Sequence, residues 1–215
     1  AIAHQYSNDA AEGEGFLDDY SSFGQALLEG YLLTGNSTYL ERAQEIATHI
    51  EHIFPFEGAF RVYTPSVEAA WQKQLEIEDN VIPSANSMWA HFFQSLGVIV
   101  DRNDWKAQAS SALRAVHSKV FRYGPNFSNW LDLGLTKAYG AKELVITGPG
   151  AKAAAEDLQR SHYQPGTLVL FSEEASELAH FKGRVGHTLT YYLCSNNTCQ
   201  LPTSDRNELL KQWKV

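Results

Sequence analysis

The sequence has no run of lysines or arginines, only two cysteines in 215 residues, and no long apolar stretch. Each absence excludes something. Binding to a phosphate backbone needs a basic face, and here 25 acidic residues outweigh 17 basic ones, for a net charge of −8. No nucleic-acid partner is expected. The longest apolar run, Leu96 to Val100, falls far short of the ~20 residues a membrane-spanning helix needs, so no membrane partner is expected either. The chain opens on Ala1 in a polar stretch without a leader pattern. We therefore expect a soluble, cytoplasmic protein, and a chain that is trimmed, processed or a fragment. Cys194 and Cys199 are too few for a disulfide scaffold. A local disulfide, a reduced pair, or metal ligation together with His187 all remain open. Three ligands argue against structural zinc, so a structural pair is favoured and neither metal nor cofactor is expected. Three Asn-x-Ser/Thr sequons, at Asn36, Asn126 and Asn196, would matter only in a secretory compartment.

What is present is apolar and aromatic side chain. Hydrophobic residues make up 44% and aromatics 12% of the sequence, enough for the core of one domain or a little more. Residues 1–14 lack periodicity and read as a leading loop. Phe16, Leu17, Tyr20, Phe23, Leu27, Leu28, Tyr31 and Leu32 then recur at three-and-four spacing, the mark of an amphipathic helix. Gly35 ends it, and Ser37 opens a second helix, so the two form a helical hairpin. Pro55 stops the second helix, and Phe56 to Pro65 reads as a short β-hairpin. Val67 to Asn80 has helical propensity at its start but no clear cap. A third helix opens at Pro83-Ser84, a fourth follows Asp104, and a fifth begins near Pro125. Sliding the sequence by 66 residues puts Phe23 on Trp89, Leu27 on Phe93, Leu33 on Ile99, Tyr39 on Trp105, Ala43 on Ala109 and Ile50 on Val116. Repeated helical hairpins of this length build α/α toroids or solenoids.

After Gly140 the pattern changes. Leu144 to Thr147, Thr167 to Phe171 and Leu189 to Cys194 read as strands, with a helix from Ala151 to Ser161 between the first two and a terminal helix from Asp205. The fold expected is therefore mainly α. Residues 1–140 form part of an α/α toroid of the six-hairpin-barrel type, and residues 141–215 form a small α/β unit. Five helices are two and a half hairpins. Missing N-terminal barrel chain or a second copy would have to complete the ring, because a partial toroid leaves an apolar edge exposed.

Four ordered motifs carry a family resemblance. They are Gly15-Phe16-Leu17-Asp18-Asp19-Tyr20, Asp79-Asn80-Val81-Ile82-Pro83-Ser84-Ala85-Asn86-Ser87, Lys142-Glu143-Leu144-Val145-Ile146-Thr147-Gly148, and Cys194-x4-Cys199-Gln200-Leu201-Pro202. Together they resemble the C-terminal part of the YyaL-like, or spermatogenesis-associated protein 20, family. That resemblance implies a thioredoxin-like domain ahead of a barrel similar to N-acylglucosamine 2-epimerases and six-hairpin glycosidases. The thioredoxin-like domain is not in this sequence, and no redox function of it carries over.

Under the 66-residue shift both first helices begin with polar residues at the same end, which points to a shared rim. Asp18 and Asp19 sit there as candidate catalytic carboxylates, one of them a base, nucleophile or ligand anchor, or as plain dipole partners of their own helix. Adjacent helix residues point about 100° apart, so one would face a cavity and the other would cap. Ser84 and Asn86 are candidate ligand contacts or caps, with Asp79 beside them. Tyr20, Tyr63, Trp89 and Trp130 could offer aromatic faces to a small sugar ligand, although aromatics at helical spacing are more often core. His91 could do acid/base work. Epimerase-like barrels use histidine pairs, but at the shifted position stands Gln25. The expected function is sugar isomerase/epimerase-like or glycosidase-like chemistry, and the alternative is a non-catalytic binding or scaffold module.

Overall fold

A computed structural model describes residues 2–65, 74–162, 164–195 and 198–213. Among them are seven α-helices and eight short strands. The chain divides into two compact units, Ala1–Leu28 with Thr38–Leu135, and Glu29–Ser37 with Thr136–Val215.

The first unit opens on an antiparallel hairpin, β1 (Ala3–Ser7) and β2 (Ala10–Glu14), where a loop was expected. Its turn residues Asn8 and Asp9 have φ of 48° and 58°. Two consecutive positive φ values make the tight hairpin turn whose twist matches paired strands, and Asn and Asp tolerate that region. Both strands are largely exposed, so they carry no apolar alternation to reveal them. The next turn brings Gly15 against Ile2, whose carbonyl accepts the Gly15 N–H at 3.0 Å. A Cβ on Gly15 would lie 2.8 Å from that oxygen, so the close approach requires glycine.

Helices α1 (Leu17–Thr34) and α2 (Ser37–Ile53) follow. Tyr20, in the first turns of α1, stacks on His49 at 5.1 Å and meets Phe54 edge-on at 5.5 Å, just past the end of α2. The two helices therefore run antiparallel. The expected small hairpin is β3 (Phe56–Glu57) paired with β4 (Phe60–Arg61). It carries Arg61, which is buried and whose guanidinium donates to the Ile50 and Phe54 carbonyls at 3.3 and 2.7 Å. Both carbonyls lie at the C-terminal end of α2, where a cation is favoured; that of Ile50 also accepts the Phe54 N–H at 3.1 Å. Arg61 also donates to Gln108 at 2.9 Å and lies 4.1 Å over the Phe56 ring. Burial lowers its pKa to about 10, with Glu51 opposing, so it stays charged at neutral pH.

The first part of the uncapped Val67 to Asn80 stretch lies outside the described residues, and Gln74 to Asn80 holds no helix. Helix α3 (Ala85–Ile99) starts as expected, with Ser84 as N-cap accepting the Ser87 N–H. Helix α4 (Asn103–Val120) follows, then a 3-10 turn over Gly124–Phe127 and α5 (Ser128–Tyr139). Phe93 joins α3 to α4 through Trp105 at 5.5 Å. Trp89, Phe92, Phe93, Trp105, Phe127 and Trp130 are all but fully buried and form the heart of this unit.

In the second unit, β5 (Lys142–Thr147), α6 (Ala151–Ser161) and β6 (Thr167–Ser172) make a β-α-β unit with parallel strands. Strand β7 (Thr190–Ser195) joins β5 antiparallel, and β8 (Thr198–Cys199) pairs with β7 at the edge. The sheet order is β6-β5-β7-β8. Leu144, Ile146, Val169, Phe171, Tyr191 and Leu193 pack against α6 and against α7 (Arg206–Trp213). The expected mainly α chain with a small α/β unit is what forms. Cys194 and Cys199 face each other across β7 and β8 and are joined in a disulfide, one of the three states left open.

Candidate functional site

Four stretches of the first unit meet around the start of α1. Leu17 N–H donates to the Tyr63 carbonyl at 3.0 Å, tying the loop after β4 to that helix end. The Tyr63 ring stacks on Phe16 at 4.9 Å, and its hydroxyl donates to Asp18 Oδ2 at 3.3 Å. The other Asp18 oxygen accepts the Asp19 N–H at 3.0 Å. Asp19 does different work. Its Oδ2 accepts the Phe16 N–H at 2.8 Å, a back-bond over the first turn, and sits 2.8 Å from His4 Nδ1. The adjacent acids thus separate, one toward Tyr63 and one onto its own helix end.

Glu76 completes the cluster. Partial burial of its carboxyl and then the nearby charge of Asp18 push its pKa up, against a hydrogen bond from the Ala85 N–H. Tyr63 is pushed up by burial first, then by Asp18 and Glu76. Three acidic groups with one shared field result. A proton is held more tightly at Glu76 and Tyr63 than on the free side chains, while Asp18 accepts hydrogen bonds.

Asp79, Ser84 and Asn86 form a second group, committed to the chain itself. Buried Asp79 accepts from Ser84 N–H at 2.9 Å, Ser87 Oγ at 2.8 Å and Asn129 N–H at 2.8 Å, so it fastens the starts of α3 and α5 together. Ser84 Oγ also donates to the Ile77 carbonyl at 2.9 Å. Asn86, fully buried, accepts from Arg61 N–H at 2.8 Å and donates to the Arg61 and Glu76 carbonyls at 3.0 Å. Through it the loop bearing Glu76 is held against β4.

Tyr20, Trp89 and Trp130 lie in the packed interior, at 2%, 0% and 0% exposure. The Tyr20 hydroxyl accepts the Ile2 N–H at 2.9 Å, and the Trp130 indole donates to the Ile77 carbonyl at 2.8 Å. His91 lines a cavity of about 400 Å³ with Ser21, Ser22 and Gln25 of α1, Pro83, Met88 of α3, and Asn129 and Asp132 of α5. Its Nε2 lies 2.7 Å from the Asn129 carbonyl. A carbonyl only accepts, so Nε2 carries the hydrogen and, in the neutral ring, Nδ1 keeps a lone pair. Ser21 Oγ is buried and has no partner among the described residues. Gln25 and His91, equivalent under the 66-residue shift, share this cavity, and so do the equivalent Ser22 and Met88.

Sequence reasoning missed Glu76 and the α5 contributions, Asn129 and Asp132. Glu76 stands in the stretch read as ambiguous, and the acidic run Glu76-Ile77-Glu78-Asp79 ahead of Pro83 was its available signal.

Helical hairpins in a 66-residue phase, with a small mixed sheet after them, define the class of protein: mainly α with a small α/β unit. No family model matches the chain. It is 26% identical over 212 residues to spermatogenesis-associated protein 20 of Rattus norvegicus and of Mus musculus, covering 92% of this chain and 27% of each relative. The Homo sapiens protein of that name is 23% identical over 211 residues, with the same coverage. This homology supports membership of the spermatogenesis-associated protein 20 family, the one its motifs resemble. The chain spans about a quarter of the length of these curated relatives.

Proposed function

We propose that the chain contributes one side of a carbohydrate-active α/α toroid, with Asp18 as base and Glu76 as acid toward a small sugar. The observation that carries this is the Asp18–Tyr63–Glu76 cluster. Asp18 accepts from the Tyr63 hydroxyl, and its charge, after burial, raises the proton affinity of Glu76. Carboxyls whose environments differ in this way divide the acid and base roles of sugar isomerisation or hydrolysis. Tyr63, hydrogen-bonded to Asp18, orients the base, and His91 and Asp132 offer further polar contacts from the neighbouring cavity. The remainder of the ring comes from preceding barrel chain or from a second copy.

A second reading, a binding or scaffold module without chemistry, draws on the other group. Asp19, Asp79, Ser84 and Asn86 all spend hydrogen bonds on helix starts and loops.

Single Asp18→Asn and Glu76→Gln variants, made in a protein in which the ring is completed, decide between the readings, with N-acetylmannosamine and neutral disaccharides as probes. The first reading expects turnover to fall by about 10²–10⁴-fold with the unfolding midpoint nearly unchanged. A lowered midpoint with sugar binding and turnover unaltered, or no response to any probe, would sink it.

A further inference from the structure

The disulfide of the second unit sits beside a cation that no acid among the described residues neutralises. Arg184 Nη1 lies 3.9 Å from Cys194 Sγ, and Nη2 lies 3.6 Å from Cys199 Sγ. Several contacts hold Arg184 there. Its guanidinium lies 5.0 Å over the Tyr192 ring. Its carbonyl accepts from the Thr147 hydroxyl at 2.9 Å, and its N–H donates to the Phe181 carbonyl at 2.9 Å. Among the described residues no carboxylate pairs with it, although acidic side chains take up other arginines of the chain such as Arg42, Arg102 and Arg206. Its charge therefore acts on the sulfurs.

The two sulfurs differ in access. Cys194 is buried at 4% exposure in β7, while Cys199 is exposed on the two-residue edge strand β8. An incoming thiolate reaches Cys199 Sγ. The sulfur expelled is then Cys194, and it departs as a thiolate beside a fixed guanidinium. Thiol–disulfide exchange runs faster as the leaving thiolate is better stabilised, and a neighbouring arginine is one of the features that favour a thiolate.

We propose that Cys194 and Cys199 form a reversible exchange site that takes a dithiol as co-substrate, with Arg184 stabilising the leaving sulfur. One thiolate of the dithiol attacks Cys199 Sγ, the bond to Cys194 breaks, and its electron pair stays on Cys194 as thiolate. The second thiolate of the dithiol then attacks the mixed disulfide, which releases Cys199 and leaves the co-substrate oxidised to its own disulfide. Two electrons pass from the dithiol to the pair, and both cysteines end reduced, taking protons from solvent.

The test uses the 215-residue chain and dithiothreitol. The protein is equilibrated across ratios of reduced to oxidised dithiothreitol, trapped with a maleimide and counted by mass spectrometry, and near-UV circular dichroism follows the fold. The wild type is expected to be reduced and reoxidised with its spectrum intact. Arg184→Gln is expected to slow reduction and to shift the equilibrium toward the disulfide by roughly five- to tenfold, the size expected for one charge about 4 Å away under nearly bulk-water screening. Arg184→Lys should recover part of that shift. In Cys199→Ser the free Cys194 should react with iodoacetamide faster when Arg184 is present than when it is glutamine, a readout that does not depend on forming the bond. The proposal is overturned if the isolated protein holds two free thiols under air, if reduction occurs only as the fold is lost, or if Arg184→Gln leaves both the equilibrium and the Cys194 alkylation rate unchanged.

Discussion

The hairpins α1–α2 and α3–α4 repeat each other and are covered differently. Helix α2 starts at Ser37 and α4 at Asn103, in phase with the 66-residue shift. Ala43 and Ala109, Ile50 and Val116, and Leu27 and Phe93 are buried in both copies. Elsewhere the copies part. Trp89, Ile99 and Trp105 are at most 1% exposed, yet their counterparts Phe23, Leu33 and Tyr39 are 49%, 58% and 39% exposed. Apolar periodicity thus marks the face a helix would bury, but it does not say whether anything in the chain covers that face. In the proposed toroid, a further hairpin would cover the exposed trio.

The largest expected effect breaks the two copies apart at one equivalent pair. Trp89→Ala should destabilise the protein by about 3–5 kcal/mol, because a large cavity opens among packed aromatics. Phe23→Ala, on the exposed counterpart, should stay within about 0.5 kcal/mol. Urea unfolding of the two variants measures the difference. Equal losses would mean that the first hairpin is as covered as the second.

A smaller effect concerns how the two copies meet. A Cβ on Gly24 of α1 would lie 2.5 Å from the Phe92 ring of α3, whereas the equivalent Ala90 is fully buried. Glycine to alanine inside a helix ordinarily gains about 1 kcal/mol. Here overpacking against the ring should reverse the sign, with Gly24→Ala losing about 1–2 kcal/mol. Trimming the ring as well, in Gly24→Ala with Phe92→Leu, should recover part of the loss that Gly24→Ala causes in the Phe92 background. A stabilised Gly24→Ala would show that α1 and α3 have room to separate.

The same contrast explains what could be read from the sequence. Helices α1 to α4, their phase and the Ser84 cap were legible because burial writes a 3.6-residue period and caps use few residue types. The strands β5, β6 and β7 were legible as apolar runs. The hairpin β1–β2 was not, since exposed strands write no pattern and only Asn8-Asp9 marked the turn. In the site, the divergence of Asp18 and Asp19 followed from helix geometry. The alliance of Asp18 with Glu76 did not, because it is made by a loop whose path depends on tertiary anchors, the Asn86 clamp and the Asp79 knot. Arg61 was missed for a related reason, since nothing local announces that a lone arginine will turn inward onto the carbonyls ending α2.

The smallest expected effect separates the two helix starts by pH. The start of α3 is held by Ser84 and Asp79, with no histidine in its cap. The start of α1 is held by Asp19, which pairs with His4. The hydrogen bond to Asp19 raises the His4 pKa above its ordinary 6.5, with the charges of Asp19 and Asp18 adding to it and desolvation opposing. A group whose pKa is raised by folding binds its proton more tightly in the native state. Its contribution is therefore complete below the unfolded value and is lost as pH rises through the folded one. The α1 start should loosen as pH climbs from about 6 to 8, while the α3 start should stay unchanged over the same window. Proton NMR of the His4 ring should show a midpoint above 6.5 in the wild type that falls toward 6.5 in Asp19→Asn. Amide exchange at Leu17 and Asp18 should rise across that window beyond its intrinsic pH dependence in the wild type but not in His4→Gln, and exchange at Asn86 and Ser87 should show no such excess in either protein. If His4 titrates at its ordinary value with Asp19 in place, the ion pair does not distinguish the two starts, and their difference reduces to the caps alone.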